Sequence, residues 1–141
     1  MTDKTIVIAY DGSPSSSKAL ELAVDLAKSV GADLKLVTVI EQPASVFTDE
    51  FNIAEFEQKL HRAGLQTIAS GEQKAQELGL KVESAMLAGN PAEEILNYAL
   101  KVNAYMIVVG TRGLGGFQRL LVGSVAQALV AHSQIPVFVC K

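Results

Sequence analysis

Thr5-Ile-Val-Ile-Ala-Tyr10, broken by Asp11-Gly12-Ser13-Pro14, is the stretch from which the rest of the chain can be read. It is an apolar, β-branched run without alternation, the pattern of a parallel strand covered on both faces. Ser13 is a natural helix cap and Pro14 suits a first helical turn. From Ser15 to Val30, Leu20, Ala23, Ala27 and Val30 recur at helical spacing until Gly31 stops the run. Working outward, Asp33–Ile40 predicts a second strand and the Pro43-containing stretch from Glu41 to Glu50 a loop. A long helix is expected from about Asn52 to Leu78, although Gly64 and Gly71 inside it each cost ~1 kcal/mol against alanine. Leu80–Ala88 reads as a third strand. Gly89-Asn90-Pro91 then turns into a helix over Ala92–Val102, with Asn90 as its cap. Ala104–Gly110 is the fourth strand, Ser124–His132 a further helix and Ile135–Cys140 the fifth strand. Strict alternation of strand and helix predicts one domain over residues 1–141: a parallel sheet with helices on both faces and right-handed crossovers. Pro136 lacks an amide donor, which assigns the last strand to an edge. The edge run Val137-Phe138-Val139 could pair with its copy in a second chain.

Composition narrows the function classes. With 141 residues the chain is long enough to bury a core unaided, and 49% hydrophobic against 19% charged residues excludes a disordered chain. No apolar run approaches the ~20 residues that span a bilayer, and the N-terminal stretch is too short for a signal-peptide core. The cytoplasm is therefore the expected compartment, with no membrane partner. A net charge of −3 supplies no basic face for a phosphate backbone, and 6% aromatics without tryptophan furnish few stacking platforms. Nucleic acid is accordingly not an expected partner. A single cysteine, Cys140, rules out an internal disulfide.

The most unusual local sequence follows the fourth strand: Val109-Gly110-Thr111-Arg112-Gly113-Leu114-Gly115-Gly116, and then, after Arg119, Gly123-Ser124-Val125-Ala126. Glycines permit close backbone approach, so successive N–H groups can curl around an anion. Gly123-Ser124 opens a helix whose first amides and dipole favour negative charge. Arg112 and Arg119 are candidates for charge-assisted contacts to phosphate oxygens. The Walker pattern does not fit, because no lysine precedes Ser124. The dinucleotide fingerprint does not fit either, because this loop follows the fourth strand rather than the first.

The spacing Gly110-x2-Gly113-x9-Gly123-Ser124 resembles the nucleotide motif of the universal stress protein family, in its ATP-binding branch. The resemblance runs the length of the chain, through Ile8-Ala-Tyr-Asp11-Gly-Ser, Val37-Thr-Val39, Gly89-Asn-Pro91-Ala and Ile135-Pro-Val. It implies an adenine-nucleotide α-hydrolase-like fold: an open five-stranded parallel sheet of order 3-2-1-4-5, in a homodimer joined through Pro136, Val137, Phe138 and Val139 of the last strand. In that order Asp11 faces the glycine loop across the crevice between the first and fourth strands. By the same resemblance Ala9 and Val39 would line the adenine pocket, although Ala9 stands where relatives often carry proline, and Tyr10 and Val109 would also belong to the nucleotide site. Asp11 would orient the ribose or adenine edge, or help hold a metal ion. Gly110, Thr111, Arg112, Gly113, Leu114, Gly115 and Gly116 would wrap the ribose and phosphates. Gly123, Ser124, Val125 and Ala126 would present the helix start. The implied ligand is ATP, with AMP and ADP as alternatives, and Mg2+ bound through the phosphates.

Simpler roles compete for the same residues. Asp11 is a good turn former, Arg112 would serve as a solvated cation, and Ser124 can cap its helix with or without phosphate. His61 and His132 have no partners at metal-ligand spacing, and Cys140 suits an apolar strand. A phosphoacceptor receiver would need an aspartate ending the third strand, where Leu87-Ala88 stands. A flavodoxin-like protein would need aromatics for stacking, and Tyr10 and Tyr105 are the candidates. Three functions remain in view. The leading one is a homodimeric, nucleotide-dependent stress or signalling switch with an unknown protein partner. The second is a slow ATPase or phosphotransferase, with no catalytic residue identified. The third is an interaction module that ignores nucleotide.

Overall fold

The apolar run at Thr5–Ala9 is strand β1, and its Ile6, Val7 and Ile8 are at most 1% exposed because helices cover both faces. The computed structural model describes residues 4–41, 50–111 and 123–141. After β1 come α1 (Pro14–Val30), β2 (Asp33–Ile40), α2 (Glu50–Glu77), β3 (Glu83–Ala88) and α3 (Pro91–Lys101). β4 (Met106–Gly110), α4 (Ser124–His132) and β5 (Val137–Cys140) complete the order. The described strands form one five-stranded sheet in the order β3-β2-β1-β4-β5, and every neighbouring pair is parallel. The predicted alternation, strand order and edge position of the last strand all hold.

Two cores lie on opposite faces of this sheet. Alternate β1 residues Ile6, Ile8 and Tyr10 join Leu20, Ala23, Val24 and Ala27 of α1 and Ile68 and Ala75 of α2. On the other face, Val7, Val37, Ile107 and Val109 pack with Ile95 and Ala99 of α3 and Ala126 and Leu129 of α4. Among the described residues no helix is long and apolar enough to cross a membrane.

Three strands begin later than the apolar pattern predicts, two of them for a common physical reason. The Leu80 amide donates back to Ala75 O at 3.0 Å and the Ala104 amide to Ala99 O at 2.9 Å. Both residues thus close the preceding helix and have no donor left for a ladder. Pro136 also precedes its strand, and contributes only its carbonyl, which accepts from the Ile107 amide at 2.9 Å.

The interior glycines of α2 face the sheet. A Cβ on Gly71 would lie 2.6 Å from Leu36 Cδ1 and 3.0 Å from the Tyr10 ring. Both neighbours are buried and confined, so α2 can lie this close to the sheet only because position 71 has no side chain. At Gly64 the nearest obstacle is the thioether of Met86, 2.5 Å away on an unbranched side chain that can swing aside, with Ile40 Cγ2 next at 3.0 Å. Gly71→Ala should therefore destabilise the protein by about 1–3 kcal/mol in urea titrations, although alanine favours an isolated helix by about 1 kcal/mol. Gly64→Ala should cost less. A Gly71→Ala protein more stable than its parent would show that α2 does not sit against Leu36 and Tyr10.

Candidate functional site

The β1–β2 register ends at Ala9↔Val37, a bridge closed by the Tyr10 amide donating to Val37 O at 2.9 Å. Beyond it the chain turns into α1 through a set of short side chains. Asp11 Oδ1 accepts from the Ser13 amide at 2.9 Å, and Gly12 takes a φ of 84°. Ser13 Oγ accepts from the Ser16 amide at 3.1 Å, which caps α1 as predicted. Ser16 Oγ accepts from the Asp11 amide at 3.2 Å and donates to Ser13 O at 3.1 Å. Asp11 therefore does form the turn that its residue type suggests, through one of its two carboxylate oxygens.

The end of β4 packs directly on this turn. A Cβ on Gly110 would lie 2.8 Å from the Ser15 carbonyl carbon and 2.9 Å from its oxygen, and would also collide with Ser15 Oγ. Thr111 Oγ1 lies 3.4 Å from Ser15 Oγ, and the Thr111 amide donates to Cys140 O at 3.0 Å. The Gly123 amide donates to Thr111 O, so the chain leaves the sheet at Thr111 and returns to the same point at Gly123. Arg112, Gly113, Leu114, Gly115, Gly116 and Arg119 lie between, outside the described residues.

The helix starts differ in how their first amides are met. α1 is capped by Ser13; α3 is capped by Asn90, whose Oδ1 accepts from the Glu93 amide at 3.0 Å, with Glu93 and Glu94 in its first turn. α4 begins at Gly123 with no side-chain cap and no acidic residue in its first turn. The amides of Ser124, Val125 and Ala126 have no acceptor within their own helix. Among the described residues no side chain caps these amides, and the positive end of the helix dipole lies beside Thr111 and Gly123.

Apolar side chains lie at the same ends of the strands. Ala9, Val39, Leu87 and Val125 are partly buried against the core that contains Val37, Val109 and Ala126. Registers Ala9↔Val37 and Val39↔Leu87 carry this surface across β1, β2 and β3. The buried polar side chains among the described residues, Ser13, Ser16, Thr38 and Thr111, cluster at these strand ends too.

Tyr10 points away from this surface. Its ring is 5% exposed in the core under α1 and α2, with its hydroxyl 3.1 Å from Ser70 Oγ, so it offers the crevice only its main chain. Tyr105 lies at the opposite end of the sheet, its amide bonded to Thr5 O at 2.7 Å and its ring under Lys4. The two aromatics of a flavin reading are thus buried or remote. His61 and His132 are exposed on α2 and at the end of α4.

Displaced titrations also lie elsewhere. Lys35 and Glu83 face each other across the β2–β3 ladder; their hydrogen bond raises the lysine and lowers the exposed glutamate from their ordinary values. Burial raises Tyr98 on α3. Thr38 and Leu87 also lie at these strand ends, though the sequence reading does not single them out. The signal for Thr38 was a lone hydroxyl within the otherwise apolar run Leu36–Ile40.

Comparison with known proteins gives a consistent result. The sequence profile of the Universal stress protein family matches residues 3–141. The chain is 34% identical over 144 residues to universal stress protein YxiE of Bacillus subtilis (strain 168), covering 96% of this chain and 97% of that protein. Universal stress protein UspA from Lactobacillus plantarum superposes with a TM-score of 0.86 at 21% identity, covering 100% and 99% of the two chains. A universal stress protein solved in complex with cAMP superposes with a TM-score of 0.74 at 26% identity, covering 98% and 97%.

The contact at Gly110 generates a test of the site's assembly. Gly110→Ala drives a methyl group into the main chain of Ser15, which cannot rotate away as a side-chain tip can. It should destabilise the protein by about 2–3 kcal/mol in urea titrations. Unchanged stability would mean that β4 and the first turn of α1 are not in contact.

Proposed function

The chain belongs to the universal stress protein family, and from that premise we propose that it binds an adenine nucleotide, ATP in preference, as a homodimeric switch. One observation carries the reading: α4 begins without a capping side chain or an acidic first turn, at the return point of a glycine-rich segment and beside the β1–β4 crevice. Bare amides and a helix dipole favour phosphate there. The apolar surface of Ala9, Val39 and Leu87 suits one face of a purine, and the relative solved with cAMP supports the same ligand class. ATP in particular rests on the spacing Gly110-x2-Gly113-x9-Gly123-Ser124, with Arg112 and Gly113–Gly116 wrapping the phosphates. Mg2+ would arrive with the phosphates. Asp11 is a carboxylate at the carboxyl end of β1, and among the described residues only one of its oxygens is given a hydrogen bond. A micromolar complex needs about 8 kcal/mol, within reach of several charge-assisted hydrogen bonds and a buried purine. The homodimer rests on β5, an edge strand whose Phe138 is 37% exposed.

Calorimetric titration with ATP and Mg2+, and separately with AMP and cAMP, tests the ligand. Binding in the micromolar range is expected, with ATP the tightest, and Gly113→Asp should weaken it by at least about 100-fold through crowding and like-charge repulsion. Affinity unchanged by Gly113→Asp would show that segment 110–124 is not the phosphate site. Rapid release of ADP during the titration would favour the phosphotransfer reading.

Light scattering tests the assembly. Val137→Lys with Val139→Lys should yield monomers, because lysines on an edge strand oppose pairing with a second copy. A dimer that survives both substitutions would place the interface elsewhere.

A further inference from the structure

The peptide joining Tyr10 to Asp11 is held at both ends by buried hydroxyls. Its carbonyl accepts from Thr38 Oγ1 at 2.8 Å, and its amide donates to Ser16 Oγ at 3.2 Å. Thr38 and Ser16 are each 4% exposed. In a parallel ladder the bridge after Ala9↔Val37 would place the Val39 amide on the Tyr10 carbonyl. Among the described residues that bond is not made, and the Thr38 side chain takes its place.

This exchange has a consequence for the crevice. A strand that simply stopped pairing would leave a buried carbonyl without a donor, at a cost of about 1–3 kcal/mol. With Thr38 supplying the donor, β1 can part from β2 at Asp11 while the Tyr10 carbonyl stays satisfied. The Tyr10 ring fixes the same residue within the core, against Gly71 and with its hydroxyl 3.1 Å from Ser70 Oγ. Asp11 then emerges at one angle, with Oδ1 bound to the Ser13 amide.

We propose that Thr38 is a positioning residue for the nucleotide site. Its hydroxyl ends the β1–β2 ladder and, with Ser16, sets the plane from which Asp11 projects. The proposal rests on the adenine-nucleotide reading above for its effect on binding, but not for its effect on the turn.

Two substitutions in the full chain separate the hydroxyl from its shape. Thr38→Val keeps the volume and removes the donor; Thr38→Ser keeps the donor. Amide hydrogen exchange at Asp11 and Ser13, followed by NMR without ligand, should speed up about tenfold in Thr38→Val and return to parental rates in Thr38→Ser. The Ile107 amide in β4 should keep its parental rate in both. Calorimetry with ATP and Mg2+ should show affinity about tenfold weaker in Thr38→Val and restored in Thr38→Ser. Parental exchange at Asp11 and Ser13 in Thr38→Val would overturn the proposal. So would equal acceleration at Ile107, which would mark Thr38 as a general stabiliser. Where Thr38→Val does not fold, Ser16→Ala releases the other end of the peptide and must accelerate the Asp11 amide in the same local way. If the parent protein binds no nucleotide, the functional reading fails, while the exchange comparison still decides whether Thr38 holds the turn.

Discussion

Parallel pairing of β1 with both β2 and β4 is the constraint from which the rest of the architecture follows. Parallel neighbours require crossovers, and crossovers are right-handed. From β1 the chain steps outward through β2 to β3, which puts α1 and α2 on one face. It then returns past β1 to β4 and β5, and reversing the direction of travel puts α3 and α4 on the other face. At the β1–β4 boundary the connections leave toward opposite faces, so a crevice opens at the carboxyl ends of these two strands.

Burial of β1 on both faces also explains why polar side chains gather where they do. Charge and hydroxyl are excluded from Ile6, Val7 and Ile8, and the first polar groups appear where the ladder stops. Each then meets a specific main-chain need: Ser13 at the start of α1, Ser16 and Thr38 at the Tyr10–Asp11 peptide, Thr111 beside Ser15. With these hydroxyls engaged, the start of α4 is a helix start without a side-chain cap among the described residues, and it is there that we propose an anion binds.

Most of the fold was legible because burial leaves a direct record in apolar runs. Nine elements could be placed from Thr5 to Cys140, and the caps Ser13 and Asn90 from residue type and position alone. Strand starts at Leu80, Ala104 and Ile135 were read too early, because hydrophobicity reports contact with the core and not which carbonyl an amide serves. Val82 and Ala104 are buried although they precede their strands, and the amides of Leu80 and Ala104 finish helices. The side-chain face of Tyr10 was a different matter. Counting along β1 places it with Ile6 and Ile8, so its ring belongs under α1 and α2 although its backbone borders the crevice.

For the candidate site, legibility divides along the same line between main chain and side chain. Gly110, Gly123 and Ser124 stood out because glycine has few reasons to recur at fixed spacing apart from close approach. At Gly110 that approach is to the backbone of α1. The first glycine of the motif therefore has a structural duty complete in itself. It lets β4 and α1 touch, which brings Thr111 to Ser15 and, through Gly123, fixes where α4 begins. Thr38 left almost no trace in the sequence, since one threonine in an apolar strand is common. Its role depends on where the partner strand stops pairing, and that is decided by the register Ala9↔Val37 and by the turn from Asp11 to Ser16. The shape of this crevice is thus set as much by the hydrogen bond that replaces a ladder bond as by the residues that line it.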